Sequence, residues 1–260
     1  KEQYDQAVAT PITDGLIAHD NNVNSNDKAL VYDSFVTMVL KEVQEKTGLD
    51  PYNDGLTIET TIDSKAQQRL YDIVNTNDYI QYVNDKIQNA VVMLDTKTGA
   101  VRAVNGGRKQ TTLLGYNRAT DNSRSTGSTI KPVIDYGPAI EYLNYSTGQT
   151  IMDQKTTYSN GVELNNWDFS HKGAMTLRTA LVYSRNTTAL QTFKAVGEKD
   201  IKSFLNNLDI QIKNDGQDYL VESNSIGADI SPIKMAAAYA AFGNYGTYSK
   251  PYTVTKVTTR

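Results

Sequence analysis

A mixed α/β fold containing antiparallel strands is predicted by three features of this 260-residue chain. Two strand-like runs, Val91-Val-Met-Leu94 and Ala100-Val-Arg-Ala-Val104, flank Asp95-Thr-Lys-Thr-Gly99, a stretch with hairpin-turn chemistry in which glycine supplies a positive φ. Phe35, Val36, Val39, Leu40 and Val43 recur at helical spacing. A third apolar segment, residues 132–143, follows Ser128-Thr129-Ile130-Lys131 and reads as another helix.

Taken in order, the first 55 residues read as a connecting region, and residues 56–260 as the body of the domain. Within the connection, the polar run at 20–27 and the Ser25-Asn-Asp-Lys28 string are expected in an Asn-rich loop. A helix is expected over 31–46, stopped by Gly48, and a second from Ser64 to about residue 74 with Ser64 or Asp63 as its cap. Core packing is the default role of both. Gly106-Gly107 ends the second strand of the hairpin, residues 176–182 are helix-like, and Thr253-Val-Thr-Lys-Val-Thr-Thr259 is a further strand-like run. No internal repeat or low-complexity tract interrupts this order.

Composition excludes several classes of function. A net charge of −3 without a basic stripe gives nothing to neutralise phosphates, so nucleic acid is not an expected partner. With no cysteine, there is neither a disulfide framework nor a thiol nucleophile. His19 and His171 are the only histidines and stand far apart, so neither a metal site nor a cofactor is expected. No string of the form G-x-x-x-x-G-K-[ST] occurs among the glycines between 106 and 127. No apolar stretch approaches the ~18 residues of a membrane span, and the first residues have no signal-peptide pattern. Seventeen tyrosines with many Asn and Thr residues suit either a wet groove for glycan or peptide, or simply a polar extracellular surface.

The chemistry concentrates at Ser128 and Lys131. Three residues apart on a helix, they share a face, whereas in a strand they would point to opposite sides. A serine hydroxyl must lose its proton as it attacks, and Lys131 is the candidate base. That role requires burial or a neighbouring cation to favour the neutral amine. A place at a helix N-terminus would give Ser128 nearby N–H groups suited to an oxyanion, and Gly127 would allow close approach of substrate. Downstream, Tyr183-Ser184-Arg185-Asn186 offers a second hydroxyl and an amide that could complete a proton relay. A Ser-His-Asp arrangement of His171 and Asp168 is the weaker alternative, because no G-x-S-x-G elbow is present.

Together, Ser128-x-x-Lys131 and Ser184-x-Asn186 resemble the first two motifs of the active-site serine penicillin-recognising family. Other segments agree with its class A penicillin-binding proteins of the streptococcal 1a type, from about residue 31 onward. Residues 54–63 followed by Ala66-Gln67 are similar to the entry of their transpeptidase domain, 88–108 to its opening hairpin, and Tyr116-Asn117-Arg118-Ala119 to the approach to its nucleophile. Residues 227–248 are similar to its serine-proline, Ala-rich helix and Asn-x-Gly segment. The resemblance implies an antiparallel sheet flanked by helices, with the site between sheet and helical lobe. It also implies a D,D-transpeptidase acting on peptidoglycan stem peptides and acylated by β-lactams. In that mechanism Ser128 attacks, Lys131 takes its proton, Ser184 relays a proton to the leaving amine, and Asn186 holds Lys131 and the substrate amide. Trp167, in the Asn-Trp position that borders the family's cleft, is a packing anchor or a substrate contact.

The family's third motif, a Lys-Thr/Ser-Gly strand, has no counterpart after Asn186, and Lys97-Thr98-Gly99 precedes the nucleophile as a turn. The last strands of the fold are therefore expected on a second polypeptide that stays associated, as nicking in an exposed loop would leave it. Without that strand an oxyanion donor is missing, which typically costs about 10² to 10³ in rate, and a sheet edge is unpaired. The same resemblance implies an upstream membrane anchor and glycosyltransferase domain, and a location on the extracellular face of the membrane. A β-lactamase or a non-catalytic sensor on this fold are the alternatives. The former requires a deacylating base, and no E-x-x-L-N string follows Asn186 at a suitable place.

Overall fold

The computed structural model describes residues 23–259. Its elements in chain order are helix α1 (Val23–Thr47), strand β1 (Leu56–Thr60), helix α2 (Ser64–Asn75) and the hairpin β2 (Val91–Leu94) and β3 (Val101–Asn105). Strand β4 (Arg124–Ser125) leads into a 3₁₀ turn (Gly127–Ile130), a π-helical turn (Pro132–Tyr136) and α3 (Gly137–Leu143). Then come β5 (Thr150–Asp153), β6 (Thr156–Thr157), β7 (Glu163–Leu164), β8 (Gly173–Thr176), α4 (Leu177–Val182), α5 (Asn186–Val196) and α6 (Glu198–Asn207). A 3₁₀ turn (Glu222–Ile226), β9 (Asp229–Ile230), α7 (Pro232–Gly243) and β10 (Val254–Thr259) complete the order.

The strands form five antiparallel pairs: β1 with β10, β2 with β3, β4 with β9, β5 with β8, and β6 with β7. The first two pairs are stitched together, since Thr61 N–H donates to the Thr253 carbonyl and Val101 N–H to that of Tyr252, both at 2.9 Å. Residues 95–99 make the predicted hairpin turn. The Asp95 carboxylate accepts from the backbone of Lys97 and Thr98, and Gly99 has φ 79°. Lys97-Thr98-Gly99 is thus a turn in the structure as well.

Helix α1 starts at Val23, eight residues before the expected start, so Ser25-Asn-Asp-Lys28 is helical and not part of a loop. Once nucleated, a helix gains one backbone bond for each residue added, which outweighs the weak propensity of Asn and Ser. Gly48, at φ 71°, donates to the Gln44 carbonyl and ends it. Phe35, Val39 and Val43 on α1 pack against Val101, Val104 and Ala119 in one core. Helix α2 begins where expected, and its cap is Asp63, whose carboxylate accepts from the Lys65 and Ala66 N–H groups. Gln67 on α2 is buried. Its side chain donates to the carbonyls of Val31 (2.7 Å) and Val104 (2.9 Å) and accepts from Val104 N–H (2.9 Å). That amide therefore makes with β3 the pair of bonds a neighbouring strand would make. A second core joins Ile130, Val133 and Ile134 to Phe193, Ile201, Leu205 and Ile230 in a helical lobe. The chain from 124 to 131 crosses between the two.

Candidate active site

The segment that carries Ser128 is fixed from both sides. On the approach, Gly106 leaves room for Asn117, whose Oδ1 would lie 2.4 Å from a Cβ at that position. The Asn117 amide in turn donates to the Ser34 carbonyl. Strand β4 then pairs with β9, and Thr126 N–H donates to the Ala228 carbonyl at 2.9 Å. Gly127 at φ 53° turns the chain, and Tyr239 Oη donates to the Thr129 carbonyl at 2.7 Å. Ser128 emerges exposed, and its hydroxyl makes no hydrogen bond among the described residues.

The helix expected over this stretch is compound, with 3₁₀, π and α turns in succession. Pro132 has no N–H, and Gly137 N–H reaches back to the Pro132 carbonyl to close the wide turn. Lys131, at the junction, is fully buried. Its Nζ donates to the Ser184 carbonyl (2.8 Å), Ser184 Oγ (3.1 Å) and Asn186 Oδ1 (2.7 Å). The two sequence motifs, more than fifty residues apart, therefore meet at one amine.

Burial is the main force on that amine and draws its pKa down to about 8. The Arg185 cation acts in the same direction, and Asp135 opposes them. Asp135 is itself fully buried, with neither carboxylate oxygen hydrogen-bonded among the described residues. Burial pushes its carboxyl well above the usual range against the pull of Lys131. Lysine near neutrality, a hydroxyl and an amide carbonyl form a group able to pass a proton within hydrogen-bond reach.

Trp167 lies next to this group with its ring two-thirds exposed, and its indole N–H donates to the Tyr183 carbonyl at 3.1 Å. The ring is thus not a buried packing anchor. The carboxylate of Asp168 is taken by Arg185 and Ser170, and His171 Nδ1 faces Asp153 at 3.7 Å, so the His171–Asp168 alternative has no geometry behind it. His19 lies outside the described residues. Sequence reasoning missed Asp135 and the partners of Arg185. Asp135 stood in an apolar run, four residues after Lys131, where a lone carboxylate is a visible anomaly.

The family described as penicillin binding protein transpeptidase domain matches residues 89–259. Penicillin-binding protein 1A/1B of Bacillus subtilis (strain 168) is 40% identical over 261 residues, covering 98% of this chain and 28% of the relative. Penicillin-binding protein 1A of Streptococcus oralis is 39% identical over 264 residues, covering 98% and 41%. The chain thus spans well under half the length of these curated relatives. The penicillin-binding protein PonA1 from Mycobacterium tuberculosis superimposes with a TM-score of 0.75 at 24% identity, over 89% of this chain and 61% of that one. The structure of that protein in complex with penicillin V gives 0.73 at 24% identity, over 89% and 62%.

Proposed function

Because this chain belongs to the penicillin-binding protein transpeptidase family, we propose that it carries the acyl-transfer centre of a peptidoglycan D,D-transpeptidase, with Ser128 as nucleophile. The observation that carries this reading is the buried Lys131 amine, which sits on the turn after Ser128 and is held by both Ser184 and Asn186. Ser128 Oγ attacks the penultimate D-Ala carbonyl of a stem peptide as Lys131 takes its proton. Ser184 delivers a proton to the departing D-Ala amine, leaving a serine ester. The amine of a neighbouring stem then attacks the ester, restores the serine and completes the cross-link. Asn186 orients Lys131 and the substrate amide, and the exposed Trp167 ring borders the bound peptide. A β-lactam enters as the donor does, and its opened ring stays on Ser128.

Further parts of the reading concern the whole protein. Residues 1–55 connect the domain to an upstream glycosyltransferase and membrane anchor, which place the centre on the extracellular face. A Lys-Thr-Gly strand, the family's third motif, supplies the remaining oxyanion donor. No helix among the described residues is long and apolar enough to cross a membrane. The test is intact mass of the full-length protein after labelled penicillin. One adduct that persists and disappears in Ser128→Ala and Lys131→Ala is expected. Rapid turnover of the drug would point to a β-lactamase, and label retained in Ser128→Ala would end the assignment.

A further inference from the structure

The turn that carries Ser184 and Asn186 is held by every residue of the loop 165–168. The Asn165 carbonyl accepts from the Asn186 side-chain amide at 2.9 Å. Asn166 Oδ1 accepts from the N–H groups of Asn186 (2.7 Å) and Thr187 (3.3 Å), the first free donors of α5. Trp167 reaches the Tyr183 carbonyl, and both oxygens of Asp168 accept from Arg185 Nη1, at 3.0 and 2.9 Å.

Arg185 is the middle residue of the motif, and its side chain turns away from the cleft into the protein, where it is 1% exposed. All three nitrogens are engaged: Nε with Asp153 at 2.8 Å, Nη1 with Asp168, and Nη2 with the Ser170 carbonyl. Asp153, buried in β5, also accepts from Thr187 Oγ1 (2.6 Å), Asn166 Nδ2 (2.7 Å) and Lys172 N–H (2.9 Å). A buried ion cluster is weak evidence for stability, since apolar side chains of similar volume often serve as well. This one stands directly behind Ser184, a non-glycine residue held at φ 50°, a conformation that persists only where the surroundings over-determine it.

We propose that Arg185, clamped by Asp153 and Asp168, is a positioning residue for acyl transfer: it holds the 183–187 turn so that Ser184 Oγ and Asn186 Oδ1 remain on Lys131 Nζ. The proposal rests on the acyl-transfer reading above. It adds a second handle, because the fixed charge of Arg185 also acts on Lys131. The charged and titratable groups around the pair are Asp135 on Lys131's own helix, and Asp153, Asp168 and His171 around Arg185.

The test uses the full-length protein with labelled penicillin, separating the acylation rate at saturation from the saturation constant, with active sites counted by end-point label. Asp168 is partly exposed, so Asp168→Asn and Asp168→Ala fold where an Arg185 truncation could fail; Arg185→Lys is the charge-keeping variant. Acylation at saturation is expected to fall about 10- to 100-fold in all three, as for a reacting group misplaced by about 1 Å, with the saturation constant within about threefold. The acid limb of the pH profile should move down in Asp168→Asn, where Arg185 loses an anion, and stay in place in Arg185→Lys. If the counted sites of the Asp168 variants acylate at the parent rate, with the parent pH profile, the network is structural only and the proposal falls. A parent that takes no label at Ser128 overturns the activity reading and the proposal together.

Discussion

The pH dependence of acylation should report the environment of Lys131 directly. An ordinary lysine has a pKa of 10.5, and burial beside Arg185 brings this one to about 8. At pH 7 the fraction of neutral amine is then about one in ten, against about three in ten thousand for an unperturbed side chain, a gain of roughly 300-fold in competent base. Second-order acylation by labelled penicillin, measured on the full-length protein from pH 5.5 to 9.5, is expected to rise about tenfold per pH unit on the acid side and level off above about 8. Stability carries the same signature with its own sign. The folded pKa lies below the unfolded one, so between about 8 and 10.5 the unfolded chain binds more protons, and stability rises with pH across that window. Below about 8 both states are protonated, and folding bears the cost of a buried ammonium, on the order of 3 kcal/mol. A profile flat from pH 6 to 9, or an inflection near 10.5, would refute the argument that burial prepares the base.

Two further outcomes concern the frame that carries the site. Gln67→Leu keeps the volume but leaves the Val104 carbonyl and N–H without their Gln67 partners and removes a second bond to the Val31 carbonyl of α1, so a loss of about 2–5 kcal/mol is expected, read as a fall in thermal midpoint of about 5–15 °C. Gly106→Ala drives a methyl group into Asn117, with contacts of 2.4 Å to its side chain and 2.9 Å to its Cα. It should cost about 1–3 kcal/mol and slow acylation by displacing the approach to Ser128, whereas a thermal midpoint and rate equal to the parent's would show that Asn117 moves freely.

What could be read from residues alone was whatever depends on local order. The 91–105 hairpin follows from turn chemistry at 95–99, α2 from its Asp63 cap, and the stop of α1 from Gly48. The meeting of Lys131 with Ser184 and Asn186 was legible only as a pair of motifs, since neither spacing says that two segments more than fifty residues apart share an amine. The compound helix at 127–143 was not legible as such. A single Pro132 and a Gly137 permit a wide turn without requiring it, and the choice is made by tertiary packing of Ile130, Val133 and Ile134. The extension of α1 into an Asn-rich run is similarly a matter of propagation, which propensity at individual residues underestimates. Buried polar groups were the least legible. Arg185 looks like a solvated residue in a turn until Asp153, thirty-two positions earlier, is brought against its Nε.

The division within the site follows from what each group has to do. In the proposed mechanism Lys131 and Ser184 handle protons while Asn186 orients the amine, and a proton relay works only if donor and acceptor distances stay near 3 Å. Lys131 is buried, Ser184 and Asn186 are half-buried, and all three are cross-bonded and backed by the Arg185 cluster. As the proposed nucleophile, Ser128 has a different requirement, to meet a carbonyl carbon arriving from solvent, and it stands exposed at the end of a turn that Gly127 and Thr126 hold in place. Ser128 can give its proton to Lys131 only through a hydrogen bond between them, so in this proposal incoming substrate sets the final direction of the hydroxyl as that bond forms, with the amine already fixed a single helical turn away.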